Sequence, residues 1–361
     1  MSGNGEPAVV VGAGGEGLAL AAHLSAAGHP VSLCTRHPDR IAAIRDTRRI
    51  RARGAIDGEF ALSAVTADAH ETVTGARLVF IATVTTAYAE VAARLAPTLT
   101  PEHIVVLFSS KLCGSAAFTA ALAAAAGTGL PDVVETDALF AARPDGDHGV
   151  RVLGRKRWTL FSGLSQSATA RHAELMRRLF PGVEPARHMV ERGLVDFGAV
   201  AHAPIALANL AGIDRGERVL FYREGLSERT VVLLEQVGRE FADVASAYGA
   251  RVPAPARLLE LYYGCEDSTD VLRAMSGVVP YQDIRSPASL DHRFLHEDVS
   301  CTLVPLIGLA ERAGVPVPMV EAVVTFASVL AGKDYRREGR TLDRLGWANL
   351  TAAEIMDRLQ R

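Results

Sequence analysis

The residues with the clearest chemical purpose are three glycines, Gly12, Gly14 and Gly17, spaced as G-x-G-x-x-G directly after the apolar run Val9, Val10 and Val11. A glycine turn lets backbone N–H groups approach a pyrophosphate, and a following helix offers its positive end to the same anion. Gly12 permits the tight turn, Gly14 has no Cβ to hold the backbone off a phosphate, and Gly17 lets the helix pack close to the strand. Gly15 and Glu16 complete the turn and are assigned with it to cofactor contact. Proton chemistry has fewer candidates. His202 stands inside the apolar segment Val200-Ala201-His202-Ala203-Pro204, and a polar cluster, Asp291-His292-Arg293-Phe294-Leu295-His296-Glu297-Asp298, precedes an apolar helical segment. Taken alone, a histidine on an apolar face is more often a hydrogen-bonded core residue than a catalyst. Carboxylates in such a cluster also suit a helix entrance.

The hydrophobic pattern supplies the elements that position these residues. Residues 8–36 read as strand, glycine turn, an Ala/Leu helix stopped by Gly28, and a second strand at 31–34, the βαβ frame that separates a dinucleotide fingerprint from chance. At the end of that second strand an NAD-binding chain usually carries Asp or Glu for the ribose hydroxyls; here stand Thr35 and Arg36. A carboxylate would repel a 2′-phosphate whereas an arginine grips it bidentately, so NADP(H) is favoured, with NAD(H) as the alternative. Residues 77–82 read as a strand buried on both faces, and because ligands collect at the carboxyl ends of such strands, Thr83 is placed at the nicotinamide half. Strand 103–108 ends in Ser109-Ser110-Lys111-Leu112-Cys113-Gly114, and Ser109 is assigned to the cofactor. Residues 132–136 form the next strand, 139–143 and 151–161 read as strands at the far edge of the same sheet, and 167–180 as an amphipathic helix. From about residue 190 strand signals vanish, and apolar residues at i, i+3 and i+4 dominate 199–210, 228–248, 255–263, 301–314 and 318–330. The fold class is therefore an α/β Rossmann N-terminal domain, residues 1–188, followed by an all-α C-terminal domain, residues 189–361.

A chain of 361 residues, 49% of them hydrophobic, can bury two sizeable cores. Its formal net charge of −3 gives no long-range attraction to nucleic acid or to an anionic membrane, and the basic run at 45–53 reads as a solvated face. The longest apolar stretch, 118–130, is too short to span a bilayer, and the first residues lack the basic start of a signal peptide. Cys34, Cys113, Cys265 and Cys301 lie far apart without disulfide or metal-ligand spacing, which fits reduced thiols in a cytoplasmic protein with no metal. The expected partners are small molecules. Apolar helical faces in the C-terminal half serve either as core or as the interface of a homodimer.

The chain resembles the opine dehydrogenase family, the octopine and nopaline dehydrogenases and their bacterial relatives, over nearly its whole length. The resemblance is carried by the fingerprint, Arg151-Val152-Leu153-Gly154-Arg155-Lys156, the His202 segment with Asn209 and Gly212, Phe221-Tyr222-Arg223-Glu224-Gly225, Arg293-Phe294-x-x-Glu297-Asp298, Leu303-Val304-Pro305, Ala313-Gly314-Val315-Pro316-Val317-Pro318 and Gly339-Arg340-Thr341-Leu342-Asp343. It implies that His202 is the general acid/base, that Asp298 is its partner, and that Arg293 lies in the same site and holds a substrate carboxylate. Lys111 and Asn209 are assigned to the substrate with them. The implied reaction condenses a 2-oxo acid with an amine and reduces the imine with NAD(P)H. The chain departs from the family pattern at Ser109-Ser110-Lys111, where many members carry a Pro-Gly-Arg type loop, at Ala203 and Ser300, where proline is usual, and around 137–143, which looks shortened. Three other readings compete. They are an imine reductase acting on a preformed, cyclic imine, a 2-oxo acid reductase of the 2-dehydropantoate type, and an NADP-binding regulatory protein without catalysis. The second leans on a lysine and a glutamate of the helical domain, where Lys333 is the only lysine.

Overall fold

The computed structural model describes residues 5–266 and 269–361. Runs with no polar member become strands buried along their whole length: AVVV as β1 (Ala8–Val11), LVFI as β6 (Leu78–Ile81) and IVVL as β7 (Ile104–Leu107). They are joined by β2 (Val31–Cys34), β5 (Ala64–Thr66), β8 (Asp132–Thr136), β11 (Thr159–Gly163) and β12 (Val183–Pro185). The resulting eight-stranded sheet runs in the order β12-β11-β8-β7-β6-β1-β2-β5, with β11 antiparallel to β8 and its other pairings parallel. Side chains alternate between its faces, so Val10, Phe80 and Val106 enter one core while Val9, Val11, Val79 and Ile81 enter the other. Val11 pairs with Ile81 and Ile81 with Leu107. The glycine turn, Thr83 and the 109–114 loop therefore emerge together from the carboxyl edge of the sheet.

One sequence expectation is corrected. The segments read as far-edge strands of this sheet divide between two sheets: β11 joins the main one, whereas β9 (Phe140–Asp145) and β10 (Gly149–Arg155) pair with β3 (Arg49–Gly54) and β4 (Gly58–Ala61) in the order β4-β3-β10-β9. In β10, Val150 and Val152 are buried while Arg151 is exposed. A strand with one wet face cannot sit inside a sheet covered on both sides; it needs a layer with one face free. That layer packs on the first helix, Gly15–Ala26, so closely that a Cβ on Gly15 would lie 2.5 Å from the Ala142 carbonyl oxygen. Arg49, Arg51 and Arg53 of β3 form its exposed face, and Arg51 pairs with Glu59 of β4.

Beyond β12 the chain is helical, from Met189–Leu194 through Phe197–Ala208, Glu228–Ala247 and Pro255–Tyr263 to Arg293–Asp298, Val304–Ala313, Pro318–Ala331 and Ala352–Gln360. Helix Phe197–Ala208 is packed by Glu228–Ala247, Pro255–Tyr263, Arg293–Asp298 and Pro318–Ala331, which explains why nearly every residue of its apolar sequence is buried. The helical core extends into Leu112 and Cys113 of the loop after β7, so the two halves share one apolar contact. All four cysteines are buried, and among the described residues no helix is long and apolar enough to cross a membrane.

Candidate active site

Helix Phe197–Ala208 and helix Arg293–Asp298 cross so that His202 meets Asp298, with His202 Nδ1 2.6 Å from Asp298 Oδ2. An ionised carboxylate only accepts, so Nδ1 carries the proton and Nε2 is left with its lone pair. Nε2 in turn lies 2.7 Å from the Tyr222 hydroxyl, which donates to it. Phe294 stacks on the imidazole at a centroid distance of 4.1 Å, and Tyr281 stacks on Tyr222 at 4.6 Å. Ring and hydroxyl are thus both held in place.

Asp298 is 2% exposed, and its second oxygen, Oδ1, is 2.5 Å from Lys111 Nζ, an ion pair not aligned as a hydrogen bond. Burial pushes the Asp298 carboxyl up, but Lys111 and His202 outweigh it and hold the group well below the usual carboxylate range. The same ammonium donates to Asp196 Oδ2 at 2.8 Å. Burial works against the charged lysine, yet Asp196 and Asp298 raise its pKa well above the ordinary value. Lys111, expected to meet substrate, is 8% exposed, with its charge paired to two carboxylates, one of them Asp298.

Three long-range contacts fix the loop that carries Lys111. Arg192, fully buried, pairs with Glu135 of β8 at 2.9 Å and donates to the carbonyls of Ser110 and Lys111. Glu135 also accepts from the Ser115 N–H. Arg340 donates to the Leu112 carbonyl at 2.7 Å, and its own N–H to that of Ser300. Ser300 lies in a π-helical turn, Val299–Leu303, directly after Asp298. Arg340 therefore ties the lysine loop to the turn behind Asp298, and Gly339 is required there because a Cβ would come within 2.8 Å of the Ser300 oxygen. Removing one partner of a buried pair such as Arg192–Glu135 typically costs about 3–5 kcal/mol.

Arg293 is half-exposed at the rim, 3.9 Å from Glu297, and its guanidinium lies 5.9 Å from the Phe294 ring. Its charge acts on both Tyr222 and Glu16. Glu297 points the other way and accepts from the Thr85 N–H at 2.6 Å, bridging the helical half to the loop after β6. Asn209 is not brought to this cluster. Both of its amide hydrogens are spent on the Ile205 and Gly225 carbonyls, a clamp between the end of helix Phe197–Ala208 and the loop that carries Tyr222.

The residues expected to hold a nicotinamide dinucleotide fit it. A Cβ at Gly12 or Gly17 would strike the Ala82 carbonyl oxygen at 2.4 Å or the Gly12 carbonyl oxygen at 2.1 Å, whereas one at Gly14 would meet nothing within 4 Å. Gly14 thus faces open space at the N-terminus of helix Gly15–Ala26, which has no side-chain cap and whose first internal bond is from Leu18 to Gly14. Beside it the Thr83 hydroxyl is buried without a partner. Thr35 is buried at the end of β2, and Arg36 next to it pairs with Glu90 at 2.5 Å, both side chains half-exposed. Ser109 adopts φ 72° at the strand-end turn. The Glu16 carboxylate turns away from the glycine loop and accepts from the Leu139 and Phe140 N–H groups; burial pushes its pKa up to about 7. Sequence reasoning gave no role to Tyr222, Asp196, Glu297 or Arg192. Of these only Tyr222 and Glu297 stood in quoted motifs, and Asp196 had just the signature of a helix N-cap.

The chain has relatives both in sequence and in fold. Residues 185–331 match the model of the NAD/NADP octopine/nopaline dehydrogenase alpha-helical domain, and residues 8–109 that of ketopantoate reductase PanE/ApbA. The opine dehydrogenase of Arthrobacter sp. (strain 1C) is 30% identical over 350 residues, 96% of each chain, and the octopine dehydrogenase of Pecten maximus is 25% identical over 216 residues, 53% of this chain and 54% of that one. In fold, a structure of octopine dehydrogenase with NADH and L-arginine aligns with a TM-score of 0.77 at 20% identity over 98% of both chains. Yersinopine dehydrogenase bound to NADP+ aligns with a TM-score of 0.73 at 14% identity over 99% of both. With a family model matched over residues 185–331 and a relative 30% identical over 96% of each chain, the chain belongs to the opine dehydrogenase family, NAD(P)H-dependent oxidoreductases acting on CH–NH groups.

Proposed function

We propose that this protein condenses a 2-oxo acid with the amino group of an amino acid or amine and reduces the resulting imine, with NADPH preferred to NADH. Residues 1–188 serve as the cofactor domain and 189–361 as the substrate domain. The observation that carries the reading is the His202–Asp298 pair, 2.6 Å apart and stacked under Phe294, with the imidazole's second nitrogen turned to a hydroxyl rather than to a core carbonyl. A core histidine is satisfied by backbone partners; this one has a carboxylate behind it and, in front, a hydroxyl that can either donate or accept.

When bound, NAD(P)H supplies the hydride. His202 Nε2 takes a proton from the incoming ammonium, which frees the amine lone pair to attack the oxo-acid carbonyl. The imidazolium then returns the proton to the hydroxyl that leaves as water. Asp298 keeps the Nδ1–H tautomer in place and stabilises the imidazolium between these steps. Arg293, exposed at the rim, is the candidate clamp for a substrate carboxylate. The ketopantoate-type reading is less well served, since Lys333 is exposed beyond the end of helix Pro318–Ala331.

NADPH oxidation should require oxo acid and amine together. Turnover with a preformed imine only, or with oxo acid alone, overturns the reading in favour of the imine-reductase or 2-oxo acid reductase alternative. His202→Ala should lower turnover by about 10²–10⁴ while NADPH affinity is retained; unchanged turnover refutes the assignment. Arg36→Ala should weaken NADPH more than NADH, and equal loss for both removes the basis of the NADP preference.

A further inference from the structure

Behind the catalytic pair the structure holds two groups that no step above uses, Lys111 and Asp196. Asp196 is the N-cap of the helix that carries His202, accepting from the Ala199 N–H through Oδ1 at 3.2 Å and from Lys111 through Oδ2. The two share one face of that helix: a Cβ at Gly198 would lie 2.9 Å from His202 Cε1 and 3.1 Å from Asp196 Oδ1. His202, Asp298, Lys111 and Asp196 are thus one buried set, linked through contacts of 2.5–2.8 Å.

We propose that Lys111 and Asp196 are positioning residues that set the protonation state of His202, because this buried set is electrically neutral only when the imidazole carries its second proton. Two carboxylates and one ammonium leave a charge of minus one, and the imidazolium cancels it. Asp196 supports this count: burial works against its ionisation, but Lys111 holds its carboxyl below the ordinary value, and the helix N-terminus favours the anion. The set therefore favours the form of His202 that has just accepted a proton from substrate. The inference rests on His202 being the proton carrier.

The other charged or titratable groups around His202 stay constant in the comparison. Helix Arg293–Asp298 presents Arg293 and Glu297, with His292 as its N-cap, and Glu297 is committed to Thr85. Tyr222 faces Nε2. Helix Pro255–Tyr263 presents Tyr262, whose hydroxyl is spent on the Val195 carbonyl, and helix Glu228–Ala247 presents Glu240, spent on the N–H groups of Met319 and Val320 at the start of helix Pro318–Ala331. Lys156, which is paired with Asp137, also acts on Asp196.

The test is a pair of substitutions with opposite signs. Asp196→Asn removes one negative charge and keeps a good N-cap; Lys111→Met removes the positive charge and leaves two carboxylates near the imidazole. The His202 pKa, read from imidazole resonances by NMR in the full-length protein, should fall by about one pH unit in Asp196→Asn and rise by about as much in Lys111→Met. Lys111→Arg should restore it, and the limb of the kcat/KM pH profile that reports His202 should move with the NMR value. An NMR pKa that stays fixed in Asp196→Asn, or moves the same way in both variants, overturns the proposal. If the NMR values move as stated but the pH profile does not, the proposal stands for the imidazole and the catalytic reading of His202 fails. Should Lys111→Met not fold, Asp196→Asn and Lys111→Arg decide the matter alone.

Discussion

Asp298→Asn separates an imidazole oriented for catalysis from one that is merely hydrogen-bonded. The side chain keeps its shape, so the outcome depends on which way the amide turns. Asp298 Oδ1 is 2.5 Å from the Lys111 ammonium and Oδ2 is 2.6 Å from His202 Nδ1. An asparagine NH₂ cannot face the ammonium, where donor would meet donor, so its oxygen takes the Lys111 side and its NH₂ turns to Nδ1. That nitrogen must then accept, which moves the imidazole proton to Nε2, the atom that has to be empty to take a proton from the substrate amine. General acid–base catalysis is worth about 10²–10⁴, and inverting the tautomer removes most of it, so kcat/KM should fall by about 10²–10³, or ~2.7–4.1 kcal/mol at 1.36 kcal/mol per decade. The fold should survive, because Lys111 keeps Asp196 as its counter-ion; the stability loss should stay below about 2 kcal/mol rather than the 3–5 typical of a stranded buried charge. Initial-rate measurements of NADPH oxidation with saturating oxo acid and varied amine, alongside urea unfolding, give both numbers. Activity within tenfold of the parent in a stably folded variant would refute the tautomer argument, and with it the assignment of Asp298.

Two further substitutions probe the cofactor side. Gly14→Ala should leave stability within about 1 kcal/mol, since the new Cβ meets nothing within 4 Å, yet weaken NADPH at least about tenfold by standing where the pyrophosphate approaches. Gly17→Ala, whose Cβ would lie 2.1 Å from the Gly12 oxygen, should instead destabilise by about 1–3 kcal/mol; thermal melts and cofactor titration of both variants check the contrast. Glu16→Gln should stabilise the protein in a pH-dependent way. Its carboxyl is raised from 4.5 to about 7 by burial, so the folded state carries no penalty below about pH 4.5 and an increasing one as pH rises through 7. A glutamine oxygen can still accept from Leu139 and Phe140, so the variant should gain up to about 3 kcal/mol in urea unfolding at pH 8 and nothing at pH 4.5. An equal gain at both pH values would show that the titration is not the cause.

The parts of this molecule legible in its sequence are those governed by local spacing. The glycine turn follows a four-residue apolar strand and opens a helix, and the helices beyond residue 189 announce themselves by a 3.6-residue period. Strand pairing is not local. β9 and β10 look like continuations of the sheet because they lie between β8 and β11, but β10 pairs with β3 through Gly149 opposite Arg51, about a hundred residues away. Only the wet face of β10, alternating Val150, Arg151 and Val152, hinted at a separate layer. The site divides in the same way. His202 and Asp298 could be named through a family resemblance, while spacing alone left each with an ordinary structural explanation. Lys111 was noticed as a departure from the family pattern, yet its contact with Asp196 spans 85 positions and no periodicity reports it.

The closing Gly-Arg-Thr-Leu motif shows why the missing information was physical rather than statistical. Asp298 is followed by a π-helical turn and then by Pro305, which has no N–H to donate to the carbonyl of Cys301. Arg340 approaches that carbonyl at 3.4 Å, holds the Leu112 carbonyl through the same nitrogen, and is bonded through its own N–H to Ser300. A motif about forty residues downstream in the sequence thus does two things at once: it satisfies the widened turn that aims Asp298, and it binds that turn to the loop presenting Lys111. The position of the Asp298 carboxylate between an imidazole and an ammonium is consequently determined by three segments that meet only in the folded chain. This is why the acid could be guessed from sequence while the charge balance around it could not.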